Sequence, residues 1–155
     1  MPVLAVNKRA TFDYEVLEKA EAGLVLVGHE VKSVKSGHIS LKGSYITLKQ
    51  NKKNRLPEAY LVKAHISKYQ KAGKLDSYDP ERPRKLLLHK KEIEYLIGKK
   101  NEQGLTLIPL QIYTKHSFVK LEFAVCRGKT KSDKREDIKK KDIEKRLRTL
   151  TKRQR

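Results

Sequence analysis

The sequence predicts a mainly β, α+β fold: a small antiparallel barrel with two to three short helices and a basic C-terminal tail. Three observations lead to this prediction. Apolar and polar residues alternate along several short segments, as in strands that bury one face. Before the C-terminal tail, only two stretches show the apolar spacing of a helix. The last part of the chain has too few large apolar residues to form a core of its own.

Alternation and turn signals define the predicted strands. They cover residues 12–19, 24–27, 40–49, 59–66, 105–113 and 118–126. A turn at residues 21–23 is predicted to separate the first two strands. The last two strands are predicted to form a hairpin that turns near residues 115–117. Leu121, Phe123 and Val125 should then share one buried face.

Two stretches are predicted to be helical. Residues 28–35 place Val31 and Val34 at i and i+3, which suits one turn of a short helix. Residues 83–97 follow a proline-containing turn and carry a longer apolar stripe, so they predict the main helix of the fold.

The charge divides the chain into a globular part, residues 1–128, and a basic C-terminal tail, residues 129–155. Between Arg127 and Arg155 lie 14 of the 37 basic residues but only 5 of the 18 acidic ones. The large aliphatic residues of the tail are spaced to fall on one side of a helix; they are Ile138, Ile143, Leu147 and Leu150. Such a charged helix is marginal alone, so we expect it to be disordered in the free protein.

The formal net charge of +19 predicts an anionic partner. A membrane fits poorly, because no apolar run approaches the length of about 18 residues of a spanning helix. The N-terminus lacks the order of a signal peptide, and Pro2 excludes N-myristoylation. A single cysteine, Cys126, predicts a reducing, cytoplasmic location and a buried core thiol. Nucleic acid is the favoured partner. We therefore expect the barrel to be of the OB type, which is common among oligonucleotide binders.

No pattern in the chain indicates catalysis, a metal or a cofactor. The five histidines are scattered, and phosphate-binding glycine motifs are missing from the sequence. Asp13 and Glu15 would share one face of a predicted strand, so a metal-dependent nuclease stays open as an alternative. A solvated strand face that balances neighbouring lysines is the favoured explanation, and we expect a protein that is not an enzyme.

Three ordered groups of motifs go beyond composition. The first contains NKRA at 7–10, FDY at 12–14, EAG at 21–23 and GHEVKS at 28–33. The second is YDPERPRKLLLH at 78–89, and the third joins GLTLIPL at 104–110 to GKTKSDKR at 128–135. In this order and spacing they closely resemble the bacterial SmpB family, the tmRNA-binding (SsrA-binding) proteins.

The resemblance implies an OB-type barrel that binds the elbow of the tRNA-like domain of tmRNA. It implies a role in trans-translation, the rescue of stalled ribosomes, where the protein occupies the place of the missing anticodon stem. The tail would become helical in the vacant mRNA channel of the ribosome, near the decoding centre. Elongation factor Tu with GTP would deliver the complex, and we expect the chain to be a monomer.

The resemblance also implies site residues, matched motif by motif. The RNA-binding candidates are Asn7, Lys8, Arg9, Glu21, Glu30, Lys32, Arg84, Lys85, Leu87 and Lys120. The candidates for tail function on the ribosome are Gly128, Lys129, Asp133, Lys134 and Arg135, followed by the four aliphatic residues of the tail. Family members often carry an aromatic or imidazole group where this chain has Ser132, which cannot stack on a base.

A structural ribosomal protein remains an alternative from another class. It would share the size, the charge and the basic extension. It would, however, co-sediment with ribosomal subunits in stoichiometric amount through a high-salt wash.

Overall fold

The computed structural model describes residues 2–73 and 77–153, so residues 154 and 155 of the predicted tail lie outside the described residues. The strands are β1 Val3–Val6, β2 Tyr14–Leu24, β3 Ile39–Ser40, β4 Tyr45–Lys49, β5 Glu58–Val62, β6 His65–Ile66, β7 Arg84–Leu87, β8 Leu105–Lys115 and β9 Phe118–Gly128. The α-helices are α1 Ala10–Asp13, α2 Gly28–Lys35, α3 Lys90–Asn101 and α4 Lys131–Arg153. A short 3-10 turn covers Gln70–Ala72. Among the described helices, none combines the length and the apolar character needed to cross a membrane.

Six strands close into a barrel. The antiparallel pairings run β8–β4–β5–β7–β2–β9, and the β8–β9 hairpin returns the ring to its start. Closure leaves these strands without a free sheet edge. Strand β1 pairs with β8, and β3 with β6 in a separate two-stranded sheet. The predicted antiparallel barrel with short helices and a basic C-terminal extension is confirmed.

The barrel interior is filled by alternate residues of its strands. Leu61, Ile112, Leu121 and Phe123 have no exposed surface, and Val125 is also buried, which confirms the predicted face of β9. The opposite side of β9 is buried as well, because Ala124 and Cys126 pack in a second, smaller cluster with Ala10 of α1. Burial raises the pKa of the Cys126 thiol to about 11, as expected for a core cysteine.

Three local predictions are wrong. Residues 24–27 form no separate strand, because Leu24 ends β2 and residues 25–27 lead directly into α2. Residues 21–23 form no turn, because β2 runs unbroken from Tyr14 to Leu24 and pairs with β9 over most of its length. The predicted helix at 83–97 begins too early: Arg84–Leu87 is a strand that pairs with β2 and β5. Helix α3 begins at Lys90, where the Glu92 side chain accepts a hydrogen bond from the His89 amide at 3.2 Å. The apolar run at 86–88 is only three leucines long, too short for its periodicity to distinguish a strand from a helix, so pairing within the barrel determines the structure.

Other local predictions are confirmed. The helix at 28–35 has the predicted bounds. The hairpin turns at His116 and Ser117, which both have positive φ values, 50° and 69°. The sequence pattern did not reveal β1 or α1, which are only four residues long and lack a clear period.

Candidate RNA interface

The outer face of the barrel brings together three of the predicted site residues. Leu87 of β7 is paired with Gly23 of β2, and Gly23 is paired on its other side with Lys120 of β9. Lys120 is in turn paired with Tyr113 of β8. Glu21 lies two residues before Gly23, so its side chain leaves the same face of β2. We call this surface the outer-face patch and define it as Glu21, Leu87, Tyr113, Lys115 and Lys120.

Glu21 is held in place on this patch. The Tyr113 hydroxyl donates a hydrogen bond to its carboxylate, and Lys115 Nζ lies 3.9 Å from its Oε1. Burial and the bond to Glu21 raise the pKa of Tyr113, so the phenol remains a donor. The Glu21 side chain is still 38% exposed. A fixed, accessible carboxylate can accept hydrogen bonds from a base edge or from a ribose 2′-hydroxyl.

Leu87 offers an apolar surface beside this carboxylate. Its side chain is 58% exposed. It lies over Gly23, where an added Cβ would come within 3.3 Å of the leucine. Next to Leu87, an open groove of about 870 Å³ runs between β7, α3 and the loop before β5. Its walls mix apolar residues such as Leu56 and Ile93 with basic residues such as Arg55, which suits an unstacked nucleotide.

Lys85 lies on the same outward side of β7, two residues before Leu87. Its Nζ is 3.4 Å from Glu58 Oε1, and Tyr60 also donates to the Glu58 carboxylate. The hydrogen bond from Tyr60 is the largest of several contributions that lower the pKa of Glu58. Lys85 is therefore positioned by an acidic partner while its side chain remains 46% exposed.

Glu30 and Arg84 have a different environment. Both are fully buried, and Arg84 Nη2 lies 2.6 Å from Glu30 Oε2. Arg82 also pairs with Glu30, the Tyr78 hydroxyl donates to it at 3.2 Å, and Arg84 Nη1 donates to the Ala64 carbonyl at 2.7 Å. With no exposed surface, neither Glu30 nor Arg84 can contact RNA directly. We assign both a structural role, which joins α2 to β7.

The N-terminal candidates also include one residue that stabilises the fold and others that are exposed to solvent. The Asn7 side chain donates to the Pro109 carbonyl at 2.9 Å, and its amide donates to the Leu110 carbonyl at 2.7 Å. These bonds satisfy backbone groups where the β8–β9 pairing shifts register. Lys8 and Arg9 are exposed, as is Lys32, whose Nζ lies 5.7 Å from the Tyr69 ring centroid. These three cations can reach phosphate.

The start of the tail helix is encoded locally. The Thr130 hydroxyl accepts a hydrogen bond from the Asp133 amide, and the Asp133 carboxylate accepts one from the Thr130 amide, both at 3.2 Å. This is a capping box, and it gives Asp133 a structural role. Ser132 and Arg135 are exposed, and Lys134 is half-buried. The four aliphatic residues of the tail are each about half exposed, between 47% and 57%.

Gly128, the last residue of β9, has no steric need to be glycine in this structure. An added Cβ would meet nothing within 4 Å, and its φ is not positive. Lys129 follows, and its Nζ donates to the Thr11 carbonyl at 2.7 Å and pairs with Asp137.

The acidic pair considered for a nuclease is not assembled. Asp13 is in α1, not on a strand face, and its Oδ1 lies 3.4 Å from both Arg9 and Lys134. Glu15 is an exposed residue of β2. Across residues 2–73 and 77–153, no three histidine, cysteine or carboxylate side chains are close enough to share a metal ion.

Comparison with known proteins decides the family. The sequence profile of the SmpB protein matches residues 4–153, almost the whole chain. The chain belongs to the SmpB family.

Curated relatives agree over the full length of the chain. An SsrA-binding protein from Thermosipho melanesiensis is 48% identical over 153 residues, 98% of this chain and 99% of the relative. One from Thermosipho africanus is 47% identical over 156 residues and covers all of both chains. A solved chain described under "tmRNA-SmpB: a journey to the center of the bacterial ribosome" is 40% identical, with a TM-score of 0.66. That match covers 89% of this chain and 95% of the solved one.

The SmpB motifs identified Glu21, Leu87 and Lys120 but not the residues that support them. Tyr113 and Lys115 position Glu21, and Gly23 makes room for Leu87. These partners become neighbours only through strand register, which no local pattern reveals. The one available signal was Gly23 within a strand-like segment, since such a glycine often marks a close approach.

Proposed function

We propose that this chain binds the tRNA-like domain of tmRNA and carries it to stalled ribosomes for trans-translation, with no chemistry of its own. The observation that carries the proposal is the outer-face patch, where a fixed carboxylate, an exposed leucine and lysines meet on one side of the barrel. The relatives are named SsrA-binding proteins, which agrees with an RNA partner of this kind.

The patch suits the elbow of a tRNA-like fold. Helical RNA has a deep major groove that side chains barely enter, so proteins read phosphates, 2′-hydroxyls and unstacked bases in loops. In this proposal Lys85 and Lys120 neutralise phosphates, Leu87 packs against an unstacked base and Glu21 accepts a hydrogen bond from the RNA. The basic residues Lys8, Arg9 and Lys32 add sequence-independent attraction.

The tail is proposed to act on the ribosome. Residues 129–155 would enter the vacant mRNA channel from the decoding centre, with α4 stabilised as RNA neutralises its lysines. Elongation factor Tu with GTP would bring the complex to the ribosome, and the chain would act as a monomer in the cytoplasm.

Gel-shift binding to the tRNA-like domain of tmRNA tests this function, with excess elongator tRNA as competitor at moderate and raised salt. We expect tight binding that survives the competitor. Glu21→Ala, Leu87→Ala and Lys120→Ala should each weaken it about tenfold, since each removes one good contact of roughly 1–3 kcal/mol. Lys91→Ala is the matched control, because Lys91 is an exposed lysine of α3 outside the patch.

Two results would contradict the proposal. Binding abolished by any competitor RNA would indicate a general polyanion binder. Stoichiometric retention on ribosomal subunits through a high-salt wash would indicate a structural ribosomal protein.

A further inference from the structure

Three cations lie near the ring of Phe12 on α1, one from the residue before α1 and two from α4. The guanidinium carbon of Arg9 lies 5.0 Å from the ring centroid. From the tail helix, Lys134 Nζ lies at 6.0 Å and Lys141 Nζ at 5.8 Å. Lys134 and Lys141 are seven residues apart, so they lie on one face of α4. Cations within about 6 Å of an aromatic ring are attracted to its face.

Polar contacts surround this ring and join the same two elements. Lys129 donates from its backbone to the Asp13 carbonyl at 2.9 Å and from Nζ to the Thr11 carbonyl at 2.7 Å. Lys129 also pairs with Asp137 of α4, and Lys134 Nζ lies 3.4 Å from Asp13 Oδ1. The contacts come from the junction between β9 and α4 and from the first three turns of α4.

Helix α1 is itself fixed to the barrel. Ala10 is buried in the small cluster that contains Ile108, Leu110, Ala124 and Cys126. The barrel therefore holds α1, and Phe12 of α1 in turn contacts α4. After Lys141, residues 142–150 are exposed without interruption, so the base of the helix sets its direction.

That direction has a large effect at the far end. A helix of 23 residues is about 35 Å long, so a tilt of about 20° at its base moves its tip by about 12 Å. A helix that must thread a narrow RNA-lined channel is sensitive to such a displacement.

We propose that Phe12 is a positioning residue for the tail: its ring, together with Arg9, Lys134 and Lys141, docks the base of α4 on α1 before the tail meets RNA. The occupant of this surface is the chain's own tail. The proposal rests on the tail function proposed above. It adds that the barrel orients the tail, rather than carrying it as a free arm.

Pulsed EPR on the full chain tests the docking directly. Spin labels are attached at cysteines introduced by Lys52→Cys and Lys141→Cys in one pair, and by Lys52→Cys and Lys139→Cys in a second that leaves Lys141 intact. Cys126 remains unlabelled because it is buried and its pKa is raised. With the second pair we expect one narrow distance distribution. This distribution should remain narrow in Phe12→Tyr, which keeps the ring. It should broaden in Phe12→Leu, which keeps an apolar side chain but removes the ring. The first pair, which removes one of the three cations, should give an intermediate width.

Two functional measurements accompany the distances. Phe12→Leu should bind the tRNA-like domain of tmRNA as tightly as the unaltered chain, because Phe12 is not part of the outer-face patch. Tagging of stalled nascent chains in a reconstituted translation system should fall about tenfold, the size expected when ring–cation contacts are lost, and Phe12→Tyr should restore it. Thermal unfolding checks that both variants are folded.

A narrow distribution unchanged by Phe12→Leu, or equal tagging by the Leu and Tyr variants, would overturn the positioning role. Failure of the unaltered chain to bind the tRNA-like domain would instead contradict the proposed function. The distance measurement would still decide whether Phe12 docks the tail.

Discussion

Glu30 is a carboxylate with no exposed surface, and the arginines around it explain why it stays ionised. Burial raises the pKa of this carboxyl, but hydrogen bonds from Arg82 and Arg84 outweigh burial, so the net shift is downward. Arg84 is equally buried, and Glu30 supplies the negative charge that balances it. A buried pair of this kind is costly to break from one side, because the remaining charge has no solvent.

We therefore predict that Glu30→Gln destabilises the fold by about 3–5 kcal/mol, measured by urea unfolding at neutral pH. Glu136→Gln, an exposed residue of α4, is the matched control and should leave the midpoint almost unchanged. Because the folded-state pKa of Glu30 is lowered from 4.5, its contribution is present at neutral pH and is lost as the pH falls through the folded value. The variant should accordingly show a flatter loss of stability below about pH 4.5.

A Glu30→Gln protein that keeps its stability but loses affinity for RNA would contradict the structural role. It would return Glu30 to the set of direct RNA contacts.

At the scale of elements, α4 consists of two parts with different support. Residues 131–141 begin with a capping box and contact α1, whereas residues 142–150 are exposed throughout. Isolated helices that carry many like charges are marginal in water. We therefore propose that the disorder expected of the whole free tail, residues 129–155, is limited to its distal half.

Hydrogen exchange followed by mass spectrometry tests this division. We predict that amides from 142 to 153 exchange within seconds in the free protein, while those from 135 to 141 are slower. Binding to ribosomes should slow the distal amides by at least tenfold, because neutralised lysines stabilise the helix. Uniform slow exchange along the whole of α4 in the free protein would show that the distal half needs no partner.

Over the whole molecule, the charge of +19 surrounds a patch that also contains an acidic and an apolar residue. Contacts between lysines and phosphates give an affinity that falls as the salt concentration rises. Packing against unstacked bases and hydrogen bonding to them depend little on salt. Measuring the affinity for the tRNA-like domain at several salt concentrations therefore separates the two contributions.

We predict that Lys85→Gln and Lys120→Gln each reduce the steepness of log Kd against log salt by about 1, the effect of one lost phosphate contact. Leu87→Ala should weaken binding equally at every salt concentration and leave the slope unchanged. Fluorescence anisotropy with labelled RNA gives both quantities. A changed slope for Leu87→Ala, or an unchanged one for both lysine variants, would contradict the roles assigned here.

The sequence by itself determined the family, the antiparallel barrel, the helix at 28–35 and the basic tail, because these depend on local periodicity, charge and ordered motifs. It also identified Glu21, Leu87 and Lys120 as candidates. Only the tertiary structure decided that β2 is continuous and that residues 84–87 form a strand, since strand pairing outweighs weak local signals.

The tertiary structure likewise separated motif residues that fold the chain from those that face solvent. Glu30, Arg84 and Asn7 belong to the same groups of motifs as Glu21 and Leu87. Burial and hydrogen-bond partners distinguish them, and both arise from residues distant in the chain. A motif shows only which residues occur together in the sequence. Strand register and closure of the barrel determine which of them a partner can reach.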